Sequence, residues 1–347
     1  MIVRHRFPWL IIPLIMLVAL VAVAAGCGDD DDSSASSDTA GASGGGDATL
    51  TIVGYSVARG VYADVIPAFQ ATPEGANVKF EQSYGASGEQ RRAVEAGLDA
   101  DIVAFSLEPD VTSLVDKGIV EAGWNDDKYK GMVSDSVVVF AVRKGNPKNI
   151  TTWDDLIKDG VEVITPNPFT SGGAKWNIMA AIGAQIAQGK TKAEALQYID
   201  ALFKNVPVQN KSAREALQTF SAGKGDVLIA YENEAILAQK EGQEIDYVIP
   251  DETLLIENPI AATVSNPTAS ENFIDFALTP DSQRVFGEAG YRPVDPTVLA
   301  EFDYAVPTTL LTIDGDLGGW PAINAEYFDP ENGEIARIFA GQGIATE

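Results

Sequence analysis

The chain has 347 residues, of which 46% are hydrophobic, so it is long enough for two domains with a sizeable core. Its formal net charge of −26 leaves no basic field for nucleic acid, and we expect no nucleic-acid partner. The single cysteine, Cys27, and the single histidine, His5, both stand near the N-terminus. The rest of the chain therefore cannot build a Ser-His-Asp or Cys-His catalytic centre, or a histidine- or cysteine-ligated zinc site.

Residues 1–27 are typical of a secretion signal. A basic start at residues 4–6 is followed by an apolar run over residues 7–25, and small residues precede Cys27. This ending resembles a bacterial lipobox, which implies that Cys27 is lipidated and anchors the protein to a membrane outside the cytoplasm. An uncleaved membrane helix is the alternative, since the run approaches the length of about 20 residues that spans a bilayer.

Residues 28–48 hold four consecutive aspartates, at residues 29–32, and continue mainly with Ser, Ala, Gly and Asp. Because this composition cannot bury a core, we predict a flexible acidic and Gly/Ser-rich tether. The aspartate run at residues 29–32 could hold a cation, but we interpret it as part of the solvated tether.

From residue 49 onward, short β-rich runs alternate with amphipathic helical stretches. The predicted strands cover residues 50–53, 78–82, 102–105, 137–142, 161–164, 226–231 and 247–249. The predicted helices cover residues 59–70, 89–97, 173–188, 192–204, 213–222 and 232–241, and the chain is mostly helical after about residue 265. The alternation predicts an α/β fold of mainly parallel sheets with helices on both faces.

The number of strand–helix units favours two lobes, each a doubly wound sheet. We expect residues 49–140 and 255–347 to form lobe 1, and residues 141–254 to form lobe 2. The segment 144–147 is a predicted crossing point between them. Ligands of open α/β sheets bind beyond the carboxyl ends of the strands, so we expect the ligand in the cleft between the lobes.

Four loops place small or hydroxyl-bearing residues at predicted helix starts: residues 55–58, 83–88, 170–173 and 211–214. A helix start offers free backbone N–H groups, and small side chains let an anion approach them. Serine and glycine are also common in ordinary caps and turns, so a single loop of this kind is usually structural. Four loops divided between two lobes favour an anion site. None of them contains a carboxylate to accept a proton from a ligand, which favours fully ionised sulfate over phosphate.

Eight distinctive sequence motifs lie along the folded part, at residues 143–148, 153–157, 163–168, 170–177, 201–206, 225–235, 291–293 and 318–320. They resemble the sulfate- and thiosulfate-binding proteins of ABC importers, within the periplasmic binding protein family. The resemblance implies a two-lobed type II periplasmic binding protein fold, a membrane permease as partner and no cofactor or metal. We expect a monomer.

In that family, backbone N–H groups, serine hydroxyls and an indole N–H hold the dehydrated oxyanion. Carried over by position, the implied ligand contacts are Ser56, Ser87, Ser171, Gly172, Gly173 and Ala213, with Tyr231 in place of the indole. A phenol donates its hydrogen bond from a different place than an indole. Phe169 and Lys175 stand where the family commonly has Lys and Arg, so the choice between sulfate, thiosulfate and a related oxyanion stays open.

The alternative function is a secreted hydrolase that acts on glycans through paired carboxylates. We favour the binding protein, and no enzymatic activity, because the sequence pairs no specific carboxylates and the anion loops would have no purpose in a hydrolase. Trp153, Trp176 and Trp320 could serve as sugar platforms, but we expect them to pack in the core.

Overall fold

The structure is a computed structural model that describes residues 48–346. Its strands are β1 (Ala48–Tyr55), β2 (Val78–Gly85), β3 (Ile102–Ala104), β4 (Met132–Arg143), β5 (Val163–Pro166), β6 (Gln209–Asn210), β7 (Val227–Tyr231), β8 (Ile245–Val248), β9 (Glu252–Ala262), β10 (Arg292–Pro293) and β11 (Thr309–Leu311). Its α-helices are α1 (Arg59–Gln70), α2 (Ser87–Glu95), α3 (Glu108–Asp116), α4 (Gly172–Ala187), α5 (Lys192–Lys204), α6 (Ala213–Ser221), α7 (Glu232–Lys240), α8 (Pro267–Ala277), α9 (Pro280–Glu288), α10 (Pro296–Leu299), α11 (Ile313–Asp316), α12 (Trp320–Tyr327) and α13 (Glu334–Gln342). Short 3₁₀ helices lie at Ser56–Ala58 and Trp153–Ile157.

Each predicted strand and helix overlaps an observed one, and the region after residue 265 is mostly helical as expected. The pattern missed α3, and it missed β9, an 11-residue strand. β1 begins at Ala48, the last residue of the predicted tether. Cys27, the signal and the rest of the tether lie outside the described residues.

One sheet runs through the molecule in the order β2-β1-β3-β9-β4-β7-β5-β6, with β8 and β10 paired to β4 and β11 paired to β9. β1 is parallel to β2 and β3, and β5 is parallel to β6 and β7. The central pairs β3–β9, β9–β4 and β4–β7 are antiparallel. We call β1–β3 with α1–α3 the first half, and β5–β7 with α4–α7 the second half.

β4 and β9 connect the two halves. β4 pairs with β9 as far as Val137, and from Val138 onward it pairs with β7. β9 in turn pairs with β3 through its last three residues. The change of partner therefore falls inside β4, ahead of segment 144–147, where Asn146 N–H donates to the Arg143 carbonyl at 2.8 Å to form a turn. The lobe boundaries stay a prediction.

The core lies on both faces of the sheet because alternate residues of a strand point to opposite sides. In β4, Phe140 packs edge-on against Trp153 with ring centroids 4.8 Å apart, while Ala141 belongs to a second cluster with Phe220 of α6. The tryptophans expected in the core are all buried: Trp153, Trp176 and Trp320.

Between residues 48 and 346, none of the helices combines the length and the apolar character needed to cross a membrane. In the same range, no group of three acidic, histidine or cysteine side chains is arranged to hold a metal ion.

Candidate oxyanion-binding site

The predicted anion-binding loops follow the carboxyl ends of parallel strands. In the first half, β1 ends at Tyr55 directly before Ser56, and β2 ends at Gly85 just before α2. In the second half, β5, β6 and β7 lead into the starts of α4, α6 and α7 respectively. This is the edge of an open α/β sheet at which ligands bind.

The start of α4 has no side-chain cap. Its N-cap residue, Ser171, has extended backbone (φ −100°, ψ 120°) and makes no side-chain capping hydrogen bond. Gly172 and Gly173 follow and supply the first free N–H groups of the helix. A β-carbon on Gly172 would lie 2.2 Å from Ser106 Oγ and 2.9 Å from Leu107 Cγ, so no side chain fits there. Glycine at this position therefore allows the loop after β3 to pack against the helix start.

Gly173 marks the point where the second-half residues meet. A β-carbon added to it would lie 3.3 Å from the Cβ of Ala213, 3.5 Å from the Oγ of Ser171 and 3.5 Å from the Cε1 of Tyr231. Three predicted contacts, from three separate loops, are thus within van der Waals distance of the β-carbon position of a fourth, Gly173.

The first half contributes the starts of α1 and α2. A β-carbon on Gly88 in the first turn of α2 would lie 3.2 Å from the carbonyl oxygen of Thr170, so this helix start packs on the loop that opens α4. The 3₁₀ turn that begins at Ser56 contacts α6, and the ring of Tyr55 lies 6.4 Å from that of Tyr231. The structure therefore packs the loops that carry the seven predicted contact residues against one another, and it groups Ser171, Gly173, Ala213 and Tyr231 around one point.

Ser87 differs from Ser171 in how its hydroxyl is used. Ser87 is 2% exposed, its Oγ donates to Asp110 Oδ2 at 2.6 Å, and it accepts the N–H of Ser106 at 3.1 Å. Its single hydroxyl hydrogen is thus committed within the protein, and only its backbone N–H remains as a donor for a ligand. Sequence reasoning missed Asp110 because it comes from α3, a helix that the pattern did not predict.

The start of α6 is partly capped. The Ser212 hydroxyl accepts the N–H of Glu215 at 3.2 Å, which satisfies the third position of the helix. This cap leaves the N–H groups of Ala213 and Arg214 at the first two positions free of that bond. Ala213, predicted from the resemblance, therefore lies where an anion would find a donor.

Tyr231 ends β7 and is the N-cap residue of α7. It is 1% exposed, and its hydroxyl has no hydrogen-bond partner. That hydroxyl faces the Ser106 hydroxyl and the Asn258 side chain without a hydrogen bond of ordinary geometry to either. Burial raises the pKa of Tyr231 well above its usual value of 10, so the phenol keeps its proton and remains a donor.

Glu234 is a site residue that sequence reasoning did not single out. It lies in the first turn of α7, is 2% exposed, and its Oε1 has no partner. With Gly173, Ala213 and Tyr231 it lines a small cavity. Burial raises the pKa of Glu234 to about 7, while the Arg214 guanidinium and the Tyr231 backbone N–H act in the opposite direction. The only sequence signal is its place three residues beyond a buried strand.

A larger cavity of about 450 Å³ opens beside the starts of α2 and α4, and three of its lining residues are the cations Arg91, Arg92 and Lys175. Two of these are held by neighbours: Arg91 pairs with Asp110 at 3.3 Å, and Lys175 donates to Asn324 at 2.8 Å. Because Glu89 and Asp110 line the same cavity, three cations are opposed by two carboxylates, and the lining carries only a small positive charge next to the converging helix starts.

The fold and the converging helix starts define a solute-binding protein, and comparison with known proteins gives the family. Residues 50–292 match the family model described as bacterial extracellular solute-binding protein. The structure is similar to that of the sulfate-binding protein SubI from Mycobacterium tuberculosis H37Rv, with a TM-score of 0.78 and 43% identity, covering 81% of this chain and 100% of that one.

Two curated relatives point the same way. The sulfate-binding protein of Synechococcus elongatus is 42% identical over 80% of this chain and 83% of its own length. The thiosulfate-binding protein of Escherichia coli is 34% identical over 82% of this chain and 89% of its own length. The chain belongs to the bacterial extracellular solute-binding proteins, in the group of the sulfate- and thiosulfate-binding proteins. The predicted resemblance and the periplasmic binding protein fold are thereby confirmed.

Proposed function

We propose that this protein binds sulfate, or the related thiosulfate, outside the cytoplasm and delivers it to the permease subunits of an ABC importer. The observation that carries the proposal is the convergence of helix starts whose N–H groups lack side-chain caps, at α2 and α4, beside the free first positions of α6. The names of the relatives supply the identity of the ligand.

Neutral main-chain donors are strong enough for this task. A helix start contributes about 0.3–1 kcal/mol to a bound anion, and up to ~2 kcal/mol where it is partly buried. Each hydrogen bond to a charged group contributes about 1.5–3 kcal/mol. Several of these together offset the desolvation of a dianion and leave room for micromolar affinity, which corresponds to about 8 kcal/mol.

The donor set also favours a ligand without protons. Backbone N–H groups only donate, and the buried Tyr231 phenol keeps its proton. Glu234 is a further donor when it carries a proton. A fully ionised oxyanion can accept from all of these groups.

The remaining parts of the proposal rest on the sequence. We propose a monomeric, non-catalytic binding protein that is anchored through lipidated Cys27 and tethered by residues 28–48. Residues 49–140 with 255–347 and residues 141–254 form its two lobes, and the ligand lies between them.

Isothermal calorimetry with sulfate, thiosulfate, phosphate and molybdate tests the function. We expect sulfate or thiosulfate to bind most tightly and phosphate weakly. Absence of binding by any of the four oxyanions would refute the proposal.

A matched pair of variants tests the position of the site. Ala213→Asp places a negative charge at the first position of α6, where an acidic residue suits the helix dipole and leaves the fold intact. Ala213→Asn has nearly the same shape without the charge. We expect the Asp variant to lose binding and the Asn variant to retain most of it. Equal affinities for the two would place the ligand elsewhere. Gly172 is unsuitable for this test because any side chain there collides with Ser106.

A further inference from the structure

Ser106 lies between the two halves of the candidate site. It follows β3, is 1% exposed, and its backbone is held from both sides. Its N–H donates to Ser87 Oγ at 3.1 Å, and its carbonyl oxygen accepts the indole N–H of Trp176 at 2.7 Å. The backbone of this residue is therefore fixed by the start of α2 and by the first turns of α4.

The hydroxyl of Ser106, in contrast, has no partner. It lies against the α-carbon of Gly172, since a β-carbon built there would be 2.2 Å from the oxygen. The side chain thus lies beside the first turn of α4, whose free N–H groups are where an anion would bind.

A second unpartnered hydroxyl faces the same place. Tyr231 is 1% exposed, and its phenol oxygen lies close enough to Ser106 and Asn258 for both to lower its pKa, but it makes a hydrogen bond of ordinary geometry to neither. Buried polar groups almost always have a partner, so two orphan hydroxyls at one helix start need an explanation. A ligand that accepts from both supplies it.

We infer that the Ser106 hydroxyl is a further ligand contact, and that it donates to the same bound oxyanion as the Tyr231 hydroxyl and the backbone N–H groups of Gly172 and Gly173. This inference rests on the proposed function and adds a contact that neither the loop pattern nor the resemblance indicated. The pair adds two side-chain donors that belong to opposite halves of the sheet. A dianion held by both would connect the loop after β3 to the start of α7.

The test uses Ser106→Ala, with Ser282→Ala as a matched control. Ser282 in α9 is also 1% exposed and also carries an unpartnered hydroxyl, but it lies away from the candidate site. Sulfate affinity is measured by calorimetry, and the melting temperature is measured with and without sulfate. We expect Ser106→Ala to bind sulfate at least tenfold more weakly, which corresponds to about 1.4 kcal/mol. Ser282→Ala should bind within twofold of the unmodified protein.

The melting temperature separates a ligand contact from a structural role. Without sulfate, Ser106→Ala should melt at or above the temperature of the unmodified protein, because the variant removes a buried hydroxyl that has no partner. The increase in melting temperature caused by sulfate should shrink. If the Ala variant does not fold, Ser106→Cys keeps a polar atom of similar size with only a weak donor, and the same loss of affinity is expected.

Affinity of Ser106→Ala within twofold of the unmodified protein would overturn the inference while leaving the proposed function intact. If the unmodified protein binds no sulfate or thiosulfate, the proposed function itself fails and the inference with it. Combining Ser106→Ala with Tyr231→Phe completes the test. A combined loss that departs from the product of the single losses by more than threefold would show that the two hydroxyls are coupled through one ligand.

Discussion

The starts of α2 and α4 look alike in sequence but are built differently. Both lie beyond the carboxyl end of a strand and both have a serine at the opening, Ser87 and Ser171. The Ser87 hydroxyl joins Asp110 to the N–H of Ser106, whereas Ser171 makes no capping hydrogen bond. The Ser87 hydroxyl links α3 and the loop after β3 to the start of α2, whereas the Ser171 hydroxyl remains available to a ligand. Ser87 is the first residue of α2 and Ser171 is the N-cap residue of α4, so two neighbouring positions at a helix start carry serine with two roles, which tertiary contacts distinguish.

The starts of α2 and α4 also differ in whether the buried polar atoms around them have hydrogen-bond partners. On the side of the second half, Tyr231 Oη, Glu234 Oε1 and Asn177 Oδ1 lack partners within the described residues. At the start of α2, the Ser87 hydroxyl is satisfied. The start of α2 is therefore preorganised by its own hydrogen bonds, while the polar groups around the start of α4, including Ser106 Oγ from the first half, stay unpaired at a cost in stability. The following predictions test this difference.

The largest effect is expected at Glu234, the buried carboxyl on the open side. Because burial raises its pKa to about 7, the folded protein holds a proton that the unfolded chain releases near pH 4.5. The folded state binds more protons in this window, so stability should fall as pH rises from about 4.5 to about 7, and the full loss is about 3 kcal/mol.

Glu234→Gln should remove the part of the slope that Glu234 contributes, while the part contributed by Asp135, whose pKa burial raises to about 8, should remain. Urea unfolding without ligand, at intervals from pH 4.5 to 8, gives the unfolding free energy as a function of pH for the unmodified protein and for the variant. Glutamine keeps the shape of the glutamate side chain. Parallel curves for the two proteins would show that Glu234 titrates normally in the fold.

Ser171→Ala should weaken sulfate binding ten- to hundredfold, since it removes a donor to a charged ligand, worth about 1.5–3 kcal/mol. The unfolding free energy should change by less than about 0.5 kcal/mol, because the hydroxyl makes no capping bond. Calorimetry and urea unfolding on the same preparation measure the two quantities. A stability loss without an affinity loss would assign Ser171 the structural role instead.

Ser87→Ala should show the reverse. The N–H of Ser106 loses its acceptor and Asp110 loses a donor, so we expect a loss of about 1–2 kcal/mol in unfolding free energy. Sulfate affinity should change by less than about threefold, because the backbone N–H that contacts the ligand is retained. Calorimetry and urea unfolding measure the two quantities. A tenfold loss of sulfate affinity at unchanged stability would show that Ser87 and Ser171 have the same role.

The smallest effect concerns salt. Binding by buried dipoles is screened far less than binding by exposed cations, so sulfate affinity should fall by less than about threefold between ~0.01 M and ~0.15 M sodium chloride. Calorimetry at both ionic strengths measures this. A steep fall would mean that Arg91, Arg92 and Lys175 of the adjacent cavity, and not the helix starts, hold the anion.

The order of strands and helices was predictable because burial on both faces of a sheet leaves long apolar runs, and amphipathic helices separate them. The four loops were predictable for the same reason, since each follows a strand and opens a helix. β9 was missed because its Glu257, Asn258 and Pro259 interrupt the apolar pattern. The double pairing of β4 has no local signal at all.

Within the site, the contacts that depend on distant parts of the chain could not be read from the sequence. Ser87 is 23 positions from Asp110, and Trp176 is 70 positions from Ser106. The loop pattern predicted where hydrogen-bond donors lie, but not which of them already donate to another group of the protein, as the Ser87 hydroxyl does. Glu234 lies three residues from Tyr231, yet only its burial beside Gly173 and Ala213 gives it a place in the site.

The shared strands β4 and β9 have a mechanical consequence. Near Val137 and Leu255 these strands pair antiparallel, so the two halves are joined there by a two-stranded ribbon with intact backbone hydrogen bonds. Any swing of one half against the other has to twist this ribbon, and twisting stores elastic energy that a floppy loop would not. The ribbon would therefore restrain any movement of the loops that the two halves carry.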